Sequence, residues 1–404
     1  MMNEFFKKHG NKLLLFVALA FFIAALLLLG TKSTNKKDRK ENAEPPSVVF
    51  THWLDNESDK EVFLGIISEF ESLHGDFKVI LNTCSYESLR LAFFRGSPPE
   101  NSGFPGDIVA LDSLWVNELS KKEIIENVNA TPVSYINILY YNINLLKEAG
   151  FMRPPKTRGE FLAYARHFSG TKGKQAALAL GMNSSRGIYD DIFPWIWSAG
   201  AQLIKDGKPQ VNSRAVVDSL TFLASLYSEG LLTPQSFTAD PAGKLNDFIS
   251  GKTAFVIAPA SEIRFIREQL GDEAFGVTSI PVPDNYAGKS FYAVSAWTTG
   301  VYSASTQKEK AKLFVDFLAE KAAFISNRMK AIPGSGIPPA YDAFYSKVWD
   351  IAIACEAAQD FSGFNWLELE ESFKEGLSAF FAGNASASET AAAIQKRWES
   401  IISP

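Results

Sequence analysis

Apolar positions between residues 47 and 404 follow two alternating rhythms. Val48-Val49-Phe50-Thr51-His52, Phe77 to Leu81 and Asp107-Ile108-Val109-Ala110-Leu111 are short, β-rich runs of strand length. Between them, Val62, Phe63, Ile66, Ile67, Phe70 and Leu73 recur at helical spacing, and 86–95 reads as a second helix. Strands alternating with helices predict βαβ units and a mainly parallel sheet.

The alternation continues. Thr157-Arg158-Gly159-Glu160 has the form of a capping box, in which Thr157 accepts from the N3 amide and Glu160 reaches back. It opens a helix through Phe161, Leu162, Tyr164, Ala165 and Phe168. Ala176 to Leu180 and Thr253 to Ile257 read as strands, Ser213 to Tyr227 as a helix, and Phe291 to Tyr302 as strand-like. Thr306 and Glu309 form a second capping box ahead of Leu313, Phe314, Phe317 and Leu318. The last 60 residues read as helical, with Ile394, Trp398 and Ile401 on one face.

The first 46 residues break this pattern. Leu13 to Gly30 is an uncharged, mostly aliphatic run of 18 residues, about 27 Å long as a helix and long enough to cross a hydrocarbon core. Lys7, Lys8 and Lys12 precede it, as in a secretory signal or a signal anchor. Leu27-Leu28-Leu29-Gly30-Thr31-Lys32-Ser33 is a poor cleavage site and no Cys follows it, so an uncleaved anchor is expected, with a cleaved signal as the alternative. Residues 31–46 are polar, charged and end in Pro45-Pro46, a flexible tether. An extracytoplasmic body tethered to the cytoplasmic membrane by residues 13–30 is the resulting expectation. The presence of only Cys84 and Cys355 suits that compartment, and two free buried thiols are expected.

Charge sharpens the division. Residues 1–46 hold eight basic and four acidic side chains, a net +4, while the whole chain carries −5, so the body carries −9. An acidic body repels phosphate, and no nucleic-acid partner is expected. With 46% apolar and 21% charged residues over 404, the chain can bury a core and form two domains or more.

Catalytic and cofactor motifs leave no mark. His9, His52, His74 and His167 stand apart from one another and from the cysteines, so no metal site is expected. GxxxxGK[ST], GxGxxG and GxSxG are all missing, and no cofactor is expected. Asp55, Glu57 and Asp59 begin like a calcium loop, but Lys60 and Ile66 occupy the positions that need Gly and Glu. The carboxylate clusters Asp190-Asp191 and Glu368/Glu370/Glu371 read as solvated helix faces.

Polar-flanked tryptophans do stand out: Trp53, Trp115, Trp195, Trp197, Trp297 and Trp366. Indole faces stack on the C–H faces of sugars, while carboxylates take the hydroxyls. The expected ligand contacts are Trp53, Asp112, Trp195, Trp197, Trp297 and Trp366. Trp195 and Trp197 cannot share a helix face, so one of the two belongs to the core, and Trp197 is favoured for the ligand.

Several segments, in order, resemble the extracellular solute-binding proteins of sugar-type ABC importers, the maltose-binding-like family 1. They include Phe70 to Val79, Gly106 to Asp112, Leu139-Tyr140-Tyr141-Asn142 through Ala149-Gly150-Phe151, Pro154 to Phe161, Ser198 to Leu203, Phe248 to Phe255, Ile280-Pro281-Val282-Pro283 and Gly336-Ile337-Pro338. Arg158 departs from the family's usual Trp, and Gly200-Ala201 replaces a Gly pair. The resemblance implies an α/β, two-lobed periplasmic binding protein fold of type 2 with three interlobe crossings, preceded by one N-terminal membrane-spanning or signal helix. The crossings are expected near Val133–Ile136, Pro281–Gly288 and Ser335–Tyr345. The lobes would be 47–134 plus 286–340 and 135–285 plus 341–404. It also implies a non-enzymatic monomer that captures a sugar, an oligosaccharide above all, in the interlobe cleft and delivers it to ABC permease subunits by hinge closure. A membrane-tethered ligand sensor and, more remotely, a carbohydrate-active enzyme are the competing expectations.

Overall fold

The computed structural model describes residues 47–54, 57–75, 77–95, 104–129, 133–170, 175–329, 343–358, 361 and 363–402. The apolar run and the tether lie outside these residues, as does most of the third expected crossing. Among the described residues, no helix is long and apolar enough to cross a membrane.

The alternation read from the sequence is present. Strand β1 (Ser47–His52), helix α1 (Glu57–Leu73), β2 (Lys78–Thr83), α2 (Tyr86–Arg95), β3 (Ile108–Asp112), α3 (Ser113–Lys121) and the short β4 (Ile125–Glu126) lead to the long β5 (Val133–Asn142). Next come α4 (Ile143–Glu148), α5 (Arg158–Gly170) and β6 (Ala176–Ala179). A single π-helical turn (Ile188–Ile192) then runs into α6 (Phe193–Ser198). A hairpin of β7 (Ile204–Lys205) and β8 (Lys208–Pro209) precedes α7 (Arg214–Ser228), α8 (Pro241–Ile249), β9 (Thr253–Pro259), α9 (Glu262–Leu270) and β10 (Phe275–Thr278). The remaining elements are β11 (Phe291–Tyr292), β12 (Val294–Tyr302), α10 (Lys308–Glu320), α11 (Ala322–Arg328), α12 (Ala343–Ala354), β13 (Glu356–Ala357), α13 (Trp366–Phe381) and α14 (Ala387–Ile402).

The strands assemble in the order β2-β1-β3-β12-β5-β9-β6, with β10 beside β5 and β4 beside β12. β1 is parallel to β2 and β3, and β6 is parallel to β9. β12 runs antiparallel to β3 and β5, and β5 antiparallel to β9 and β10. The sheet is therefore mixed, which corrects the mainly parallel expectation. Local pattern marks a strand but does not say which distant strand lies beside it.

β5 divides the sheet. Its residues 133–136 pair with β12, while 137–142 pair with β9 and β10. We refer to the β1–β4 and β12 side as the first half and the β6, β9 and β10 side as the second. Phe50, Phe63, Phe70 and Phe314 pack α1 and α10 on one face of the first half. Tyr140, Phe248, Ile263 and Val348 do the same for α8, α9 and α12 in the second. A third cluster, running from Trp115 to Trp197 and Trp398, lines the other face of both.

The helix starts show how local chemistry was read well at one site and less well at another. Thr157 Oγ1 accepts from the Glu160 amide at 3.3 Å, but the Glu160 carboxylate takes the Lys156 amide at 2.7 Å and both Arg153 guanidinium nitrogens. The Thr306–Glu309 box does not form: α10 begins at Lys308 after an N-cap Gln307 with no side-chain cap bond, and Ser305 Oγ takes the Gln307 amide. Gly200 has φ of +71°, and the Tyr286 ring fills the space its Cβ would need, so the turn after α6 requires glycine.

Candidate functional site

The two halves meet where β3 ends, where β5 runs from the first half to the second beside the start of β12, and where the π-turn begins. Asp112 is the last residue of β3 and is 1% exposed. Its Oδ1 accepts from the Leu114 amide at 2.9 Å, capping α3. Its Oδ2 accepts from the Tyr86 hydroxyl at 2.8 Å and from Arg186.

Arg186, just ahead of the π-turn, is the centre of this arrangement. Its Nε and Nη2 donate to the two oxygens of Asp190, each at 3.0 Å, and Nη2 donates to Ser295 Oγ at 2.8 Å. The guanidinium lies over the Tyr189 ring at 5.1 Å and the Tyr86 ring at 5.9 Å. Burial opposes its charge, but Asp190 and Asp112 outweigh burial and hold the pKa above the ordinary arginine range. Burial also works against the Asp190 charge; Arg186, Lys244 and Asn137 win, and its pKa falls below the usual carboxylate value. Asn137 on β5 donates to Asp190 at 2.9 Å, and Ser295 on β12 donates to Asn137 at 3.0 Å. The two crossing strands thus hold the carboxylate that holds the arginine.

Asp191 points the other way. Its Oδ1 meets Lys244 of α8 at 2.7 Å, and its Oδ2 accepts from the Gly181 amide at 2.8 Å. The expectation of a solvated Asp190-Asp191 face is therefore corrected: both carboxylates are buried and both are ion-paired. Glu370 is likewise buried, 3.4 Å from Arg90, and burial raises its pKa to about 7.

The aromatic residues fall around this charge cluster. Trp53 is half-buried after β1, with ring centroids 5.3 Å from Tyr86 and 5.9 Å from Trp115. Trp297 pairs with Asp112 across β12 and β3 and is 7% exposed; its indole stands edge-on to His52 at 4.6 Å, within the first-half core. Trp366 begins α13, and both it and Trp197 touch Tyr189, at 5.6 and 5.1 Å. Trp195 stands apart, packed on Phe161 and Phe222. Trp195 and Trp197 are both 0% exposed in this conformation. Arg158, the departure from the usual Trp, donates to the Trp195 carbonyl and to Ser219 Oγ, and its guanidinium lies over the Phe222 ring. Burial lowers its pKa to about 10.

Sequence reading missed Arg186, Tyr86, Asn137 and Ser295. The one local signal was Arg186 four residues before Asp190, just ahead of an apolar stretch. Beside the junction, a cavity of about 400 Å³ opens between α2, α3 and α13, lined among others by Arg90, Phe94, Lys122, Asn365 and Glu371. Cys84 and Cys355 form no disulfide and are partly exposed, not buried. Among the described residues, no group of three His, Cys, Asp or Glu side chains could hold a metal ion.

The fold is that of several solved binding proteins. The GacH receptor of Streptomyces glaucescens GLA.O, solved unliganded and with acarbose, superposes with a TM-score of 0.73 at 18% identity, over 88% of this chain and 98% of that one. MalE3 of T. maritima, solved with maltose, gives 0.69 at 17% identity, over 87% and 99%. MalE of Bdellovibrio bacteriovorus, bound to maltotriose, gives 0.70 at 15% identity, over 89% and 100%. These likenesses establish a periplasmic binding protein fold. With residues 55–323 also matching its family model, the chain belongs to the bacterial extracellular solute-binding proteins.

Proposed function

We propose that this solute-binding protein captures a sugar, specifically an oligosaccharide, between its two halves and hands it to the membrane subunits of an ABC importer. One observation carries the reading. Aromatic faces (Trp53, Tyr86, Tyr189) and hydrogen-bonding side chains (Asp112, Asn137, Ser295) from both halves converge where β5 runs between them beside the start of β12. Rings that stack on sugar faces, beside groups that take hydroxyls, are the chemistry such a ligand needs. The sugars named for the solved relatives are consistent with it.

In this reading the lobes are 47–134 plus 286–340 and 135–285 plus 341–404, and closure turns one on the other about β5 and the start of β12. The change of partners within β5 supports that division. Trp53, Asp112, Trp197, Trp297 and Trp366 surround the site, and Trp195 supports it from behind. The protein acts as a monomer, held at the membrane by residues 13–30; an intact mass that retains residues 1–30 is the expected result, and a mature N-terminus after Gly30 would remove the anchor.

A thermal-shift series with maltose, maltotriose, acarbose and chitin oligosaccharides tests the ligand class. A ligand that binds only the folded state at 100 times its Kd adds about 2.7 kcal/mol and raises the melting temperature. No shift with any sugar, together with a shift from a non-sugar solute, would displace the proposal.

A further inference from the structure

The carboxylates at the junction are not equally well compensated. Asp190 accepts from Arg186 twice at 3.0 Å and from Asn137 at 2.9 Å. Glu87 of α2 accepts from the Ser185 amide at 2.9 Å and from its hydroxyl at 2.6 Å. Glu370 of α13 is 3% exposed, and among the described residues a single hydrogen bond reaches its carboxylate, from Arg90 of α2 at 3.4 Å.

That contact spans the junction. α2 lies between β2 and β3 of the first half, while α13 packs through Trp366 and Phe373 on Phe193 of the second. The other charges facing Glu370 are mixed in sign: Lys374 on its own helix and Arg186 ahead of the π-turn favour the carboxylate, and Glu87 opposes it. Beside them, Glu118 of α3 pairs with Lys122 at 2.6 Å, and Glu371 pairs with Arg95 at 3.4 Å.

Contact of the halves therefore buries a carboxylate with little around it. Taking an ionised carboxylate out of water is costly unless several groups replace the solvent, and one long bond from Arg90 does not. Burial accordingly raises the Glu370 pKa to about 7 where the halves touch. When the halves part, the face of α13 that meets α2 returns to water, and the ionised form is preferred again. A proton on Glu370 does not strand Arg90. A neutral carboxyl oxygen still accepts its N–H, and the guanidinium borders the cavity of about 400 Å³, which has room for water.

We propose that Glu370 couples closure to proton uptake: as the two halves shut on a sugar, its carboxylate enters the contact between α2 and α13 and takes one proton from solution, so the protein holds its sugar more tightly in acid. This rests on the reading of hinge closure on a sugar. The coupling is reciprocal, since a sugar that favours the proton is favoured by it to the same degree. Opening returns the proton to the solvent.

Calorimetry of maltotriose binding to the full-length chain, in buffers of different ionisation enthalpy, counts the protons; it is repeated with each sugar of the thermal-shift series. The parent should take up about one proton per sugar at pH 6 and none at pH 9, and its Kd should weaken by about tenfold or more from pH 5 to pH 7. Glu370→Gln should take up none at pH 6, with a Kd that stays flat across that range. Arg90→Gln removes a cation that favours the ionised form, so uptake should extend to pH 8, and this variant carries the test if Glu370→Gln does not fold. Binding without proton uptake at pH 6 overturns the coupling and leaves the sugar reading standing, as does unchanged uptake in a folded Glu370→Gln. If none of the sugars binds, the sugar reading falls and the coupling falls with it.

Discussion

Asp190 and Asp191 are consecutive, buried and ion-paired, yet they serve opposite sides of the π-turn. Asp190 faces the junction, where its arginine is shared with Asp112 of the other half and its pKa is depressed. Asp191 faces the interior of the second half, where burial outweighs Lys244 and raises its pKa. At the junction one guanidinium serves two carboxylates. The interior pair has one arrangement, with Lys244 3% exposed. Two adjacent aspartates thus share an arginine with the other half on one side and hold a lysine of their own on the other.

The sharpest way to break this contrast is at the interior pair. Lys244→Ala leaves Asp191 buried without its cation, and the expected cost is about 3–5 kcal/mol in urea unfolding. A loss below about 1 kcal/mol would sink the contrast.

The tryptophans test the same division. Trp195→Ala removes a 0% exposed indole from the interior and should cost about 3–5 kcal/mol of stability. Trp53→Ala, at the junction, should leave the unfolding midpoint nearly in place and weaken maltotriose binding about tenfold, a step of about 1.4 kcal/mol. Equal stability losses in the two variants would erase the distinction.

A smaller effect comes from pH. Burial lowers the His52 pKa to about 3, so the folded protein rejects a proton that the unfolded chain accepts near 6.5. Its contribution is complete above pH 6.5 and is lost as pH falls, at up to about 1.4 kcal/mol per unit. Glu370, at the junction, is raised to about 7 from 4.5, so its contribution is complete below pH 4.5 and is lost as pH rises through 7. Between pH 4.5 and 6.5 the two oppose each other. His52→Phe should therefore gain stability relative to the parent between pH 7 and 5, and Glu370→Gln should lose it more steeply; parallel pH profiles in parent and variants would rule out both assignments.

Much of the fold could be read from residue order because β1, α1, β2 and β3 each carry their own periodicity, from Val48 to Leu111. The direction of β5 and β12 could not, since Trp297 meets Asp112 across a distance no local pattern encodes. The charge cluster was hidden for the same reason: Asp190-Asp191 looks like a wet surface unless Asp112, 74 residues before Arg186, is brought beside it. Aromatic residues were the legible part of the site, because an indole among polar neighbours is conspicuous in any context. Which of its faces would be covered depended on Phe161, Phe222 and Tyr189, and only packing reveals that.

The path of β12 has a consequence for the order of assembly. This strand lies between β3 and β5 and completes the first half, but it is drawn from residues 294–302, after β5, β6, β9 and β10 of the sheet have passed. A chain growing from its N-terminus therefore carries β1, β2 and β3 with an unfilled edge while some 180 further residues are added. Pairings this distant in sequence close slowly. The first half therefore cannot close until residues 294–302 are available to it.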